Sequence, residues 1–455
     1  MRALVDRAMQ VLSFDKQGKT RTFFRAIKKC FHVELARRRR HRSRATVIGI
    51  TGSSAKTTTS ELLAFILEPE GRVHKQTKGN TFKPLVRGLR RLSRDADYAV
   101  IEVAAGGKSG VAAMAALLKP DIAVVTLVAD EHRSIFRGAE AVAIEKQWLV
   151  QSLPLAGVAM LNADDPRVMA MAKASMARTV TFGRGDTADY RATDIKAAFP
   201  SRLALQLRWQ GGAVVLRTRF VAEHFWLPVA AAAATALELG IDPDHVSERI
   251  ACFEPLFDRF SVLEVPGGPA FLIDTNKAPL HSLNLAFDAL KKADVPHKRA
   301  IVGQISDYVG KADKTYRAVY QNARAAADEV IFVGENAHRA RASDQDRDSG
   351  RFHEMRSVRK AADHIKATLR PNELILIKGS GNLHLERIAL ALTQDVQCWQ
   401  DQCGQVKNCI SCGKYGIPFE RHAEVRKAEK RAQRWWRRLL GMKGSPNVHK
   451  REAGG

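Results

Sequence analysis

The segment from Thr46 to Ser60, TVIGITGSSAKTTTS, constrains this chain more than any other. A β-branched apolar run, Thr46 to Ile50, ends in a short Gly/Ser loop. Lys56 and Thr57 then open a stretch to Leu67 with helical periodicity. Strand, small-residue loop and helix in that order form a phosphate cradle. Backbone N–H groups and the helix N-terminus face the anion, a lysine reaches the terminal phosphates, and a threonine hydroxyl can ligate Mg²⁺. The cradle residues are Gly52, Ser53, Ser54, Ala55, Lys56, Thr57 and Thr58. Ala55 stands where such loops place a glycine before the lysine, and Ile50 falls where the longer Walker pattern has its first glycine.

At 455 residues the chain exceeds one ordinary domain. No run approaches the roughly eighteen apolar residues of a membrane span. Met1 to Phe14 carries Asp6 and Arg7 inside its apolar stretch and makes a poor signal peptide. The expectation is a cytoplasmic protein. The net charge of +25 gathers at two ends: a block from Arg37 to Arg44 and a tail from Arg421 to Arg451. Such blocks read as solvated arms for acidic partners, and the Trp435 to Leu440 run has the mixture of interfacial helices. An anionic membrane face and nucleic acid, or another polyanion, are the partners it admits.

Four of the 6 cysteines, Cys398, Cys403, Cys409 and Cys412, fall in one short stretch. Four thiolates so close can take structural Zn²⁺; an iron–sulfur cluster and unliganded thiols are the other readings. Cys30 and Cys252 stand alone and read as buried or inert.

The pattern predicts an α/β chain: a P-loop NTPase-like, mostly parallel sheet domain, then a smaller Rossmann-like α/β domain, then a Cys-rich appendage. The boundaries are a basic amphipathic arm at 1–45, a nucleotide domain at 46–252, a second α/β unit at 253–395, the cysteine segment at 396–416 and a basic tail at 417–455. Strands are expected at 98–102, 122–126 and 158–162, each ending in a polar residue, and at 270–274, 299–303, 329–334 and 374–378. Alternation around Gly211 and Gly212 marks a hairpin, and 227–240 an Ala-rich helix. Glu102, ending a strand, is placed to hold Mg²⁺ with Thr57. His132 follows a strand, Lys146 lies on a helix, and Asn162 precedes paired carboxylates near a bound nucleotide.

The order of these motifs resembles the Mur ligase family of ATP-dependent peptidoglycan ligases. The matching pieces are 51–59 (TGSSAKTTT), 78–80 (KGN), Ile101-Glu102, 120–132, 143–146 (AIEK), 161–166 (LNADDP), 258–260 (DRF) and 377–380 (IKGS). The first two look most like the type that adds D-alanyl-D-alanine. The resemblance implies that ATP phosphorylates a carboxylate acceptor and that an amino acid or dipeptide amine attacks the acyl phosphate. Lys56 would then bind the β/γ-phosphates, and Thr57, Glu102 and His132 would organise Mg²⁺. Lys146 would match a lysine often carbamylated to ligate a second Mg²⁺. Arg259 and Lys378 would close over nucleotide and acceptor, with Asp274, Asn276 and Ser380 on the acceptor side.

The departures are specific. The basic arm stands where the family has a domain gripping a UDP-sugar. His224-Phe225-Trp226-Leu227-Pro228 replaces an Asn-bearing motif near adenine, the 273–279 loop is shortened, and Gly381 follows Lys-Gly-Ser where an arginine is usual. The acceptor could then be lipid-linked or polymeric, as in relatives that make poly-γ-glutamate or cyanophycin. A second reading keeps the nucleotide fold as a scaffold acting through its basic arms. A P-loop kinase or other NTPase is a third.

Overall fold

The computed structural model describes residues 21–77, 79–104, 110–130, 136, 138–308 and 310–439. His132 and Lys78 lie outside the described residues.

The first sheet contains β1 (Thr46–Thr51), β2 (Val73–Gln76), β3 (Tyr98–Glu102), β4 (Ile122–Val125), β5 (Val158–Asn162), β6 (Arg178–Gly183), β7 (Tyr190–Ala198), β8 (Ser201–Trp209) and β9 (Gly212–Arg217). Its order is β2-β3-β1-β4-β5-β6-β7-β8-β9. Pairing is parallel from β2 to β7 and antiparallel for β8 and β9. β1 thus lies centrally, with β3 on one side and β4 on the other, so the chain reverses direction across the sheet beside it. Crevices at the carboxyl ends of strands form at such points.

Both faces of β1, β3, β4 and β5 are buried, which is why these strands are almost wholly apolar. Ile48, Ile50, Val100 and Val124 face one core with Leu62, Leu63 and Ile66. Val47, Ile101, Ala123 and Val125 face the other with Val111, Met114 and Leu149. The helix Lys56–Leu67 packs on the helix Trp226–Glu238, where Ala230 to Ala234 are fully buried. Pro228 sits in that helix's first turn, where its missing N–H costs little.

The second sheet holds β10 (Ser261–Glu264), β11 (Ala270–Asp274), β12 (His297–Val302), β13 (Glu329–Val333), β14 (Phe352–Met355) and β15 (Glu373–Lys378), in the order β10-β11-β15-β12-β13-β14. Only β10 pairs antiparallel among these described strands. The apolar core runs on from the first sheet to the second through Phe225, Phe253 and Phe260.

Two expectations are corrected. In the amino-terminal basic block Arg37, Arg38, Arg39 and Arg42 are exposed, but the block is not wholly a free arm. It forms the helix Arg21–Arg42, which buries Ala36 and packs on the helices Phe82–Leu89 and Gly110–Leu118. Arg40 donates to the Leu118 and Lys119 carbonyls, each at 2.7 Å, and meets Asp121 at 3.3 Å. A guanidinium that satisfies free carbonyls at a helix end is a C-terminal cap, not a free charge. Cys252 is exposed and Cys30 half-buried, so neither is a core thiol. No described helix is long and apolar enough to cross a membrane.

Candidate active site

The loop after β1 is built around two backbone demands. Gly52 has φ +147°, and a Cβ there would lie 1.9 Å from Thr126 Oγ1. The loop must approach β4 this closely because the Thr126 hydroxyl donates to Ser54 O at 2.7 Å. Ala55, at the N-cap of the following helix, has φ 67° and ψ −13°. That left-handed conformation is the reason a glycine is usual here; alanine adopts it at a cost of about 1–2 kcal/mol.

Lys56 Nζ lies across the loop, donating to Gly52 O at 2.5 Å and Ser53 O at 3.4 Å. Ser53 ties the loop to the stretch after β4: its hydroxyl donates to Ala129 O at 3.1 Å and accepts Ala129 N–H at 2.9 Å. Thr58 is buried in the first turn of the helix.

Thr57, at the amino-terminal end of the helix Lys56–Leu67, meets Glu102, at the carboxyl end of β3. The Thr57 hydroxyl donates to Glu102 Oε2 at 3.0 Å, and Asn80 Nδ2 donates to Glu102 Oε1 at 2.8 Å. Glu102 is 2% exposed. A buried carboxylate and a hydroxyl side by side are the hard oxygen donors that Mg²⁺ takes. Arg259, from the segment leading into the second sheet, reaches the same hydroxyl at 3.4 Å.

Lys146 is fully buried on the helix Ala139–Gln151. Its neighbour Glu145 accepts the Val111 N–H at 2.8 Å. Asn162 is committed to backbone: it donates to Thr126 O at 2.7 Å and accepts Asp164 N–H at 3.0 Å. Asp165 accepts Val128 N–H at 2.7 Å, holding the chain beyond β4.

On the second sheet, Lys378 Nζ pairs with Asp274 Oδ2 at 2.7 Å and donates to Lys277 O at 2.6 Å. Asn276 donates to Asp258 Oδ2 at 2.9 Å, beside Arg259. Ser380 N–H donates to Gln304 O at 3.0 Å. At Gly381 a Cβ would come within 3.2 Å of Asn276 O, so the two loops abut there. His224 stands edge-on to Phe260, with ring centroids 5.3 Å apart. Burial lowers its pKa to about 4, with Asp274 acting to raise it and Lys378 to lower it further.

Asn80 and Thr126 escaped the sequence reading as site residues. Asn80 had a signal, the Lys-Gly-Asn triplet; Thr126 had only its place at a strand end. The four clustered cysteines are all free, but their sulfurs do not form a compact group of their own. Among the described residues the groups with ligand atoms all within 4.8 Å are Glu329, His353 and His364, and His384, Glu386 and Cys409.

A glycine-bent loop between strand and helix on a sheet that is parallel from β2 to β7, a hydroxyl–carboxylate pair beside it and a guanidinium from a second sheet are an arrangement suited to a nucleotide-using enzyme that works between two domains. Residues 50–236 match the Mur ligase middle domain and residues 258–381 the Mur ligase, glutamate ligase domain. The chain belongs to the Mur ligase family and is an ATP-dependent, ADP-forming ligase.

It is 28% identical over 395 residues to the UDP-N-acetylmuramoyl-tripeptide–D-alanyl-D-alanine ligase of Mycobacterium tuberculosis, covering 80% of this chain and 74% of that one. The Escherichia coli enzyme of the same name is 26% identical, covering 80% of each. The MurF ligase of Thermotoga maritima, solved in complex with ADP, shares the fold with TM-score 0.70 at 21% identity, covering 80% of this chain and 82% of that one.

Proposed function

We propose that the enzyme joins D-alanyl-D-alanine to a peptidyl carboxylate of the UDP-N-acetylmuramoyl-tripeptide class. The contact that carries a two-domain ligation is Arg259 on Thr57, which joins the acceptor-side sheet to the phosphate loop. The names of the relatives support the choice of substrates.

In this reading Gly52 to Thr58 cradle the ATP phosphates, and Lys56 turns from its own loop carbonyls to the β/γ-phosphates. Thr57 and Glu102 would hold Mg²⁺, which when bound neutralises charge on the phosphates. Lys146 is where carbamylation would turn a buried cation into an oxygen donor. The acceptor carboxylate oxygen takes the γ-phosphoryl group and ADP leaves. The dipeptide amine then attacks the acyl carbon, loses a proton and expels phosphate. Arg259 faces the transferring group, while Lys378, held by Asp274, faces the acceptor side with Asn276 and Ser380. Fixed positive groups aimed at developing charge are the main source of rate in such chemistry. These substrates would put the enzyme in the cytoplasm.

The test is ADP release measured against UDP-muramoyl tripeptide and other carboxylate acceptors, each with D-alanyl-D-alanine, single amino acids and other dipeptides. Turnover that requires the tripeptide and D-alanyl-D-alanine together, and that is lost in Lys56→Ala, is the expected result. Turnover on another acceptor alone overturns the substrate assignment. Full activity in Lys56→Ala overturns the phosphate loop.

A further inference from the structure

The second sheet carries polar side chains at the end of its strands opposite to Lys378, which closes β15. Glu329 is the first residue of β13, and His353 lies on β14, the edge strand beside it. His364 lies on the helix Val358–Ala367, whose Ala361, Ala362 and Ile365 pack with Ile331 and Ile375 over this face. Three regular elements thus each bring one side chain to the same place.

His364 Nε2 stands 2.8 Å from Glu329 Oε1, and His353 Nε2 stands 3.6 Å from the same oxygen. The ring centroids are 4.4 Å apart, and the three ligand atoms all lie within 4.8 Å of one another. A hydrogen bond accounts for the first approach; the second is too long for one. Two ligands of a tetrahedral zinc, with bonds of about 2.0 Å, stand about 3.3 Å apart. The two separations bracket that value.

The surroundings hold the donors in place. Arg299 Nε lies 3.3 Å from Glu329 Oε2 and 2.9 Å from Glu373 Oε2, so it fixes the far carboxylate oxygen and leaves Oε1 to the imidazoles. Arg299 is itself anchored by donating to the Thr368 hydroxyl at 2.8 Å. The Gly350 backbone hydrogen-bonds the His353 ring. Outer contacts of this kind orient ligating side chains. The Glu329 side chain is 10% exposed, against 30% for His353 and 21% for His364. The ring side therefore opens to solvent, which gives an ion a way in and leaves a position for water.

We propose that Glu329, His353 and His364 bind one zinc ion, with water as the fourth ligand. Two imidazoles and a carboxylate suit zinc, whereas Mg²⁺ and Ca²⁺ favour oxygen alone. The ion would clasp β14 to β13 and to the covering helix. That edge needs support, because Phe352 is the one fully buried residue of β14. The other compact group, His384 with Glu386 and Cys409, is already satisfied internally. Its carboxylate accepts the Cys409 N–H at 2.9 Å, and His384 Nε2 faces Cys403 Sγ at 3.2 Å.

The test uses the full chain, stripped of metal with a chelator and titrated with zinc and, separately, with cobalt(II). Zinc affinity is read by competition with a chromogenic chelator. His353→Gln and His364→Gln should each weaken one zinc equivalent by more than about 100-fold, since even outer contacts cost 10–100-fold. His338→Gln, at an exposed histidine elsewhere, should leave it unchanged. Cobalt at this site should give visible bands without the near-ultraviolet charge transfer of sulfur ligands, and those bands should vanish in both variants. Free cysteines that take the metal instead would give the sulfur signal. Because a variant could misfold, hydrogen exchange is also followed in the unaltered chain. Zinc should slow exchange across residues 352–364, and at a hundredfold excess over Kd should raise the unfolding midpoint by about 5 °C. A smaller loss of affinity in either variant, cobalt spectra showing sulfur ligation alone, or exchange indifferent to zinc would overturn the site. None of these readouts uses the ligation reaction.

Discussion

Ala55 and His224 show how single positions carry strain and charge at this site. Ala55 holds a left-handed backbone without the freedom of glycine. Ala55→Gly should therefore stabilise the protein, by up to about 1 kcal/mol once the greater freedom of unfolded glycine is subtracted. Denaturant unfolding at neutral pH measures this, and a lower midpoint would contradict it. Gly52→Ala should do the reverse, since its Cβ would collide with Thr126 Oγ1. His224 has a folded pKa of about 4 against an ordinary 6.5. Between those values the unfolded chain binds the proton and the folded one does not, so stability falls as pH drops from 6.5 towards 4. The loss reaches about 3 kcal/mol at the acid end and is absent above pH 7. Unfolding curves of the unaltered protein and His224→Gln, compared at pH 7 and pH 4.5, should show this difference shrink in the variant. These side-chain environments were not legible in the sequence, because a histidine before Phe225 reads the same whether buried or exposed.

Individual elements were legible where a single physical pattern governs them. β1, β3, β5 and β11 are short apolar runs because both their faces are covered; the expected ranges of β3, β5 and β11 match the observed ones, and β1 runs one residue further, to Thr51. β2, β7 and β14 escaped because they are mixed in polarity: β2 reads VHKQ and β14 reads FHEM. Edge or half-exposed strands bury few residues, so composition does not separate them from loops. The amino-terminal helix is the opposite case. Its charge pointed outward to a partner, yet Arg40 turns inward to cap the helix ending at Leu118. Arg40→Ala should cost about 1–3 kcal/mol, the range for buried carbonyls that lose a charged donor. Arg37→Ala, whose residue pairs with Glu34 on the exposed side, should stay within about 0.5 kcal/mol. Thermal unfolding of the two variants would separate the docked face from the solvated one. Equal effects would mean that Arg40 contributes no more than a surface charge.

For the whole molecule, the decisive feature is that the segment leading into the second sheet meets the loop of the first at Thr57. Arg259 touches Thr57 from a distant part of the chain, and Asn276 holds Asp258 beside it. Arg259→Ala should lower kcat by about 10²-fold or more while changing nucleotide affinity less than tenfold, as expected of a group that acts on transferring charge. Steady-state ADP release and direct ATP-analogue binding give the two numbers. A large loss of nucleotide binding with unchanged kcat would assign Arg259 to binding alone. By itself the sequence determined the phosphate loop, the two α/β units and the family, because each rests on local order: strand, loop, helix and motifs in succession. Tertiary structure decided that Asn80 and Thr57 converge on Glu102, that Asn162 serves the backbone, and that His384 approaches Cys403. Those contacts join residues far apart in the chain, and sequence spacing carries no information about which side chains packing will bring face to face.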